Sequence, residues 1–355
     1  MLEIGPKHTM EYRQEILSPF FRSVQSTDSL CVIGAASMGK TRLLDHLSRH
    51  EVQKYYLGDL VDQHWLIRAD MNRMPVNEPS WAFYELLISS ILLDIHNHKD
   101  TGNLEFELTK YDADIIQKRD PLLALRYFEL IVIKLCQVHE VKLSFLLDEF
   151  DEMYQNLPRE IFLQLRAVRD ANKNRISFVM FLRDLPERLR PSMDNESFYE
   201  LLAREPIGIG PYQKNDAMQM IQQLEARKTR TITQEQRNRI FQASGGHPGL
   251  IVALFDVLAE RPQLFQSFDM PDWASSLIQE TAIQEECRKI WKGLSTDDRQ
   301  GLLTFQAGEE IVPTIKRLLL TKGLLRNKGD RLQYFSELFE HFIRLNSGRD
   351  TFIRQ

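Results

Sequence analysis

The stretch GAASMGKTRLL, Gly34 to Leu44, constrains the fold more than any other part of the chain. Gly34, four residues, then Gly39, Lys40 and Thr41 is the spacing of a phosphate-binding loop. The apolar run Leu30 to Ile33 precedes it, and Leu43, Leu44 and Leu47 follow at helical spacing, so the required order of strand, loop and helix is met. The two glycines let the backbone turn tightly, so that N–H groups across Ala35, Ala36, Ser37 and Met38 point inward at phosphate oxygens. Lys40 is then placed against the β- and γ-phosphates and the Thr41 hydroxyl on Mg²⁺. The helix through Thr41 and Arg42 aims its N-terminal dipole at the same charge. The expected ligand is ATP or ADP with Mg²⁺, although no short motif marks the base. A glycine-containing strand-to-helix turn with no ligand is the competing reading, and the flanking strand and helix argue against it.

The 355 residues suffice for two or three domains with real cores, and 43% apolar with 27% charged residues is ordinary globular composition. A net charge of −5 gives no overall attraction to nucleic acid, so such a contact requires a local patch. Cys31, Cys136 and Cys287 are widely spaced in apolar segments and read as reduced core residues. The start, MLEIGPKH, lacks the apolar core of a signal peptide, and the longest apolar runs fall short of a membrane span. The expected compartment is the cytosol, with no membrane partner.

Apolar strands and helical segments alternate through the first 210 residues, which predicts a P-loop parallel sheet covered by helices, an α/β fold. Strands are expected at Ser29 to Ile33, His64 to Asn72, KLSFLLDE, RISFVMFLRD and near PIGIG. Helices are expected in SWAFYELLISSILLDI with Ser80 as N-cap, in the segment opened by Pro121, and in PREIFLQLRAVRDANK. The polar stretch His96 to Asp120 reads as a surface excursion without clear period.

Ligands on such sheets sit beyond the carboxyl ends of the strands. There SFLLDEFDE places Asp148 to hold the Mg²⁺ shell through water, and Glu149 to orient or deprotonate the attacking water. Asp148 is expected on a strand adjoining that of the loop. Asp151 and Glu152 read as helix N-terminal charges. Arg183, at the tip of the next strand, is placed to sense the γ-phosphate, or else forms a surface pair with Asp184 or Glu187. Arg188, Arg190 and Arg204 are further candidates for contacts in trans.

From Gln213 on the pattern is helical, with a break at GGHPGL, where Gly245 and Gly246 end one helix and Pro248 starts another. Together GAASMGKT, LSFLLDEFDE, FLRD and GGHPGLI, in this order, resemble the STAND class of AAA+-related ATPases, over residues 10–345. That resemblance implies that His247 and Pro248 lie near the adenine or β-phosphate. It also likens EYRQE, Glu11 to Glu15, to an Arg-Glu motif leading into the nucleotide pocket, with a Gln separating Arg13 from Glu15. No long repeat array or effector domain is seen, so output is expected through other protein subunits or a homo-oligomer. Prokaryotic members of the class serve in antiviral defence or signalling.

Ser295 opens a helix with a Ser-x-x-Asp pattern, a second helix follows, and LLRNKGDRLQYFS reads as two short strands before a closing helix. That order predicts a winged-helix domain, giving 1–210 as the nucleotide-binding domain, 211–284 as an α-helical lid and 285–355 as the winged helix. Lys316, Arg317, Lys322, Arg326, Lys328 and Arg331 are expected to cluster near the wing. They form either a DNA-binding face or, preferred on the acidic net charge, a solvated face of a domain that clamps the resting state. The function expected is a nucleotide-driven switch reset by hydrolysis through Glu149. The alternatives are a DNA-binding AAA+ initiator or transposition regulator, and an ATP-binding scaffold.

Overall fold

The computed structural model describes residues 8–35, 37–75, 79–98, 102–194, 196–202 and 205–347. Ala36 and Arg204 lie outside the described residues. Strands β1 (Leu30–Gly34), β2 (His64–Asp70), β3 (Lys142–Asp148), β4 (Ile176–Leu182) and β5 (Ile207–Ile209) form one sheet in the order β2-β3-β4-β1-β5. Parallel registers run from Leu30↔Val179 to Ile33↔Leu182, from Leu143↔Ile176 to Leu147↔Met180, and from His64↔Lys142 to Asp70↔Asp148. Every residue of β1 and β4 is buried, which is why these strands read as unbroken apolar runs rather than alternating ones. The order corrects one expectation. β4 lies between β1 and β3, so the strand of the loop and the strand of Asp148 are not neighbours. Local pattern fixes a strand's existence, whereas its place in a parallel sheet depends on where each helical crossover lands.

The helices around and after the sheet are α1 (Gln14–Ser26), α2 (Lys40–Leu47), α3 (His50–Leu57), α4 (Pro79–Asp94), α5 (Leu104–Lys118), α6 (Pro121–Ile133), α7 (Asp151–Asn156), α8 (Arg159–Ala171), α9 (Pro186–Leu189) and α10 (Glu196–Tyr199). α6 begins as expected, with Pro121 in its first turn and the Asp120 carboxylate capping the Leu123 N–H at 2.8 Å. Two expectations fail here. α4 begins at Pro79, so Ser80 is inside the helix rather than its cap. The supposed surface excursion contains α5, fifteen residues long. Its buried Leu104, Leu108 and Ile115 recur at four and seven residues, a stripe too narrow to stand out among the surrounding charges.

After β5 the described residues form helices and one hairpin: α11 (Lys214–Lys228), α12 (Gln234–Ser244), α13 (Pro248–Glu260), α14 (Trp273–Leu277), α15 (Thr281–Lys292), α16 (Thr296–Gln306), α17 (Pro313–Thr321), β6 (Leu325–Lys328), β7 (Arg331–Tyr334) and α18 (Glu337–Asn346). Ser295 and Asp298 make the expected reciprocal cap of α16, worth about 1 kcal/mol. β6 and β7 pair antiparallel around Gly329 and Asp330, with Gly329 at φ 59° as a tight hairpin turn requires.

Contacts divide the chain into two compact units. One gathers Met1–Gln14, Gly34–Arg42 and Gly208–Gln355, the other Glu15–Ile33 and Leu43–Ile207. The core of the second is aromatic: Phe128, Phe145, Phe178 and Phe198 follow one another with ring centroids 5.7, 6.0 and 5.9 Å apart. In the first, Leu254, Ile290, Trp291, Leu318, Phe339 and Ile343 are buried. Cys31, Cys136 and Cys287 are free and buried, as their apolar settings implied. No helix among the described residues is long and apolar enough to cross a membrane.

Candidate nucleotide site

The loop between β1 and α2 has the backbone an anion cradle needs. Ser37 at φ 64° and Gly39 at φ 86° are both left-handed, the alternation that turns successive N–H groups to one side. Gly34 has no room for a side chain, since an added Cβ would come within 2.9 Å of the Ile209 Cβ. Ala35 and Met38 are buried, whereas Ser37, Thr41 and Arg42 are exposed. Lys40, only 7% exposed, folds back so that its Nζ donates to the Gly34 carbonyl at 3.2 Å. It also opens α2, whose eight residues carry a helix dipole that favours an anion at this end.

Arg13 holds the loop from behind. Its side chain is fully buried; Nη2 donates to the Met38 carbonyl at 2.7 Å and Nη1 to the Gly210 carbonyl at 2.9 Å. Its guanidinium lies 4.4 Å from the centre of the Tyr212 ring, and its backbone N–H, at φ 50°, donates to the Asp216 carboxylate. The Tyr12 and Tyr212 hydroxyls meet at 3.0 Å. Charge-assisted bonds of this kind contribute about 1.5–3 kcal/mol each, and losing the donor leaves one buried and one part-buried carbonyl without it.

The GGHPG break joins the same cluster. Gly245, at φ 59°, caps α12. Gly246, at φ 85°, accepts the Tyr212 N–H on its carbonyl at 2.9 Å, and a Cβ there would collide with the Tyr212 carbonyl. His247 is the N-cap of α13, its Nδ1 accepting the Leu250 N–H at 3.4 Å, and Pro248 is the first helical residue. Burial, and secondarily the nearby Arg13 charge, pushes His247 down to about 3, so the ring is neutral at physiological pH. With Nδ1 accepting, the proton sits on Nε2, which has no hydrogen-bond partner among the described residues. Gly34 to Arg42, His247 and Pro248 thus belong to one unit, tied through Arg13 and Tyr212.

The acidic residues belong to the other unit. Asp148 ends β3 and is 4% exposed; its Oδ2 accepts Arg68 Nη2 at 2.8 Å, while Arg68 Nη1 donates to Asp45 at 2.9 Å. Burial raises the Asp148 carboxyl above its usual range, Arg68 opposes the rise, and the Glu149 and Asp70 charges add to it. Glu149 stands in the left-handed region at φ 50°, an arrangement that costs about 1 kcal/mol or more in a non-glycine residue. Its carboxylate is ion-paired with Arg183, whose own N–H is fixed by Asp151 Oδ1 at 2.7 Å.

That pair replaces the surface pair offered by the sequence. Among the described residues Arg183 engages neither Asp184 nor Glu187; Asp184 instead accepts from Arg188 at 2.9 Å. Arg190 donates to the Leu157 carbonyl at 2.7 Å and lies over Phe162. Arg188 and Arg190 are therefore held within their own unit. A second correction concerns the basic cluster. Lys322 is 2% exposed and bonded to the buried Asp298 at 2.6 Å, so it contributes to the core rather than to a surface patch. Its place after the helical stripe of α17, at Leu318 and Leu319, was the available signal.

Sequence reasoning missed Arg68 and Asp45, and gave Arg13 only a weak motif. A single arginine near the end of an apolar strand, as in HWLIRAD, is the one local sign of a charge serving the sheet edge.

No protein-family model matches the sequence, and no curated protein matches it. Solved structures do. A Walker-type ATPase of Pyrococcus abyssi aligns with a TM-score of 0.55 at 12% identity, covering 94% of this chain and 95% of that one. The ORC2 protein of Aeropyrum pernix in its ADP form aligns at 0.53 and 12% identity, covering 100% and 96%. A STAND protein with a tetratricopeptide repeat sensor from Pyrococcus horikoshii aligns at only 0.34 and 10% identity, over 96% of this chain and 44% of that one, too weakly to decide the subclass. What this likeness establishes is the fold: a five-stranded P-loop sheet with helices around it and a helical C-terminal part.

Proposed function

We propose that the chain is an ATP-binding and ATP-hydrolysing molecular switch of STAND type, acting on partner proteins. The observation that carries the reading is the loop itself: a left-handed Ser37 and Gly39, the Lys40 amine at its mouth and Arg13 fixing its Met38 carbonyl. Gly34 to Arg42 hold the phosphates, and His247 with Pro248 flank the nucleotide. Thr41 and Asp148 fit a magnesium ion by chemistry, one a hydroxyl at a helix N-terminus and the other a buried carboxylate. Bound there, the metal would offset phosphate charge. Glu149 takes a proton from the attacking water, and Arg183 moves from Glu149 to the γ-phosphate when one is present. Parallel pairing supports the reading, because β1, β3 and β4 end at one edge of the sheet, at Gly34, Asp148 and Leu182.

ATP and ADP then favour different arrangements of a nucleotide-binding domain (1–210), a helical lid (211–284) and a winged helix (285–355), and hydrolysis resets the switch. The site is a cytosolic one, and the output goes to separate subunits or to further copies of the chain, in defence or signalling. Calorimetry tests this. ATP and ADP with magnesium bind the wild type and not Lys40→Ala, while Glu149→Gln binds but does not hydrolyse. Binding without turnover in the wild type would leave only a scaffold.

One observation favours a second reading, a DNA-bound AAA+ ATPase. Arg326, Lys328 and Arg331 are exposed on the β6–β7 hairpin, with Lys328 opposite Arg331. Like charges across a hairpin repel, and a phosphate backbone would relieve this. Salt-dependent duplex affinity lost in Arg326→Ala/Lys328→Ala but kept in Lys40→Ala would establish it.

A further inference from the structure

Arg68 divides its guanidinium between two carboxylates on different elements, Asp148 at the end of β3 and Asp45 on α2, at 2.8 and 2.9 Å. Each acid receives one bond from a separate nitrogen, a weaker hold than the two parallel bonds of a fork on a single carboxylate. The three side chains differ in their access to water. The Asp148 side chain alone is 6% exposed, that of Arg68 28% and that of Asp45 61%. A buried carboxylate such as Asp148 is stable only with a cation beside it. Its Oδ2 is satisfied by a cation the chain itself supplies.

We propose that Arg68 competes with magnesium for Asp148, so that the Asp45–Arg68–Asp148 bridge sets how much free metal the site demands. This rests on the reading of Asp148 as the metal carboxylate. A guanidinium bonded to Oδ2 and a divalent ion whose water shell is held by the same carboxylate oppose each other, since like charges so close repel even in a partly wet site. Metal arrival therefore displaces Arg68, and Asp45 gives the released guanidinium a partner that is already in place. Asp45 is four residues from Thr41 on α2, so the resting place lies on the helix face that carries the proposed metal hydroxyl. The bridge makes a metal-poor site self-neutralising and raises the magnesium concentration at which metal-bound nucleotide is retained.

The test titrates magnesium into full-length protein with N-methylanthraniloyl-ADP, reading the metal concentration that half-saturates the metal-dependent fluorescence. A parallel titration in EDTA reads metal-free affinity. Arg68→Gln removes the competitor and lowers the half-saturating magnesium on the order of tenfold. Asp45→Asn concentrates the guanidinium on Asp148 and raises it about threefold. Affinity in EDTA stays as in the wild type for both. An unchanged or raised requirement in Arg68→Gln overturns the proposal, as does an equal change in EDTA, which would mark a purely structural role. Should Arg68→Gln fail to fold, the exposed Asp45→Asn decides alone, and an unchanged or lowered requirement overturns it. A wild type that binds no ADP at any magnesium concentration removes the parent reading and this one together.

Discussion

The proposed phosphate loop and the carboxylate edge hold their working groups in place by different means. At the loop the groups proposed to face phosphate are backbone N–H groups, and the side chains around it hold backbone in place: Arg13 on the Met38 and Gly210 carbonyls, His247 on the Leu250 N–H. At the edge the working groups are side-chain ions held by other side-chain ions, Arg68 on Asp148 and Arg183 on Glu149. The first arrangement is stiff because its geometry is written into left-handed residues and buried bonds. The second is exchangeable, because each ion can leave one partner for another of like charge. The proposed switch would use both, a fixed grip and a movable response.

Breaking the edge has the largest expected consequence. Glu149→Gln lowers hydrolysis about 10²–10⁴-fold with nucleotide binding kept, read by phosphate release beside a binding titration. If binding is lost as well, the edge is part of the grip and the contrast fails. Arg13→Met tests the other side. It leaves the Met38 and Gly210 carbonyls without their buried donor, lowers the resistance to chemical denaturation by about 3 kcal/mol, and weakens ADP binding in the refolded fraction. An unaltered denaturation midpoint would show the loop standing without Arg13.

A smaller effect comes from pH. His247 sits at about 3 in the fold against an ordinary 6.5, so between these values the unfolded chain carries the extra proton. Stability from this residue is complete above 6.5 and is lost as pH falls, by about 2 kcal/mol between pH 6.5 and 5. His247→Asn keeps a capping side chain and flattens that part of the profile, measured as denaturation midpoints at pH 7 and 5. The smallest change expected is Gly39→Ala, which forces a Cβ into φ 86° and costs about 1–2 kcal/mol. It reduces ADP affinity in step, because no bulk blocks it: the nearest atoms to a new Cβ are at 3.7 and 3.8 Å.

This contrast also explains what could be read in advance. Backbone devices leave residue-type signatures: Gly39 for its φ, Pro121 and Pro248 at helix starts, Ser295 with Asp298 as a cap. Those were legible, as were the apolar runs of β1 and β4. Side-chain ion pairs across elements leave none. Arg68 meets Asp148 because β2 and β3 pair in a register that brings Asp70 opposite Asp148, and nothing in HWLIRAD announces that register. For the same reason β4 between β1 and β3 was not foreseen. The α5 stripe was hidden by composition, since three buried residues sufficed to seat a helix otherwise covered in charge.

The most direct test of the account is the structure of Glu149→Gln with ATP and magnesium. The account predicts the amides from Gly34 to Thr41 around the β- and γ-phosphates, a metal held by Thr41 with Asp148 in its water shell, and Arg183 turned to the γ-phosphate. A triphosphate bound elsewhere, or held by the loop with Asp148 and residue 149 remote from it, would contradict it.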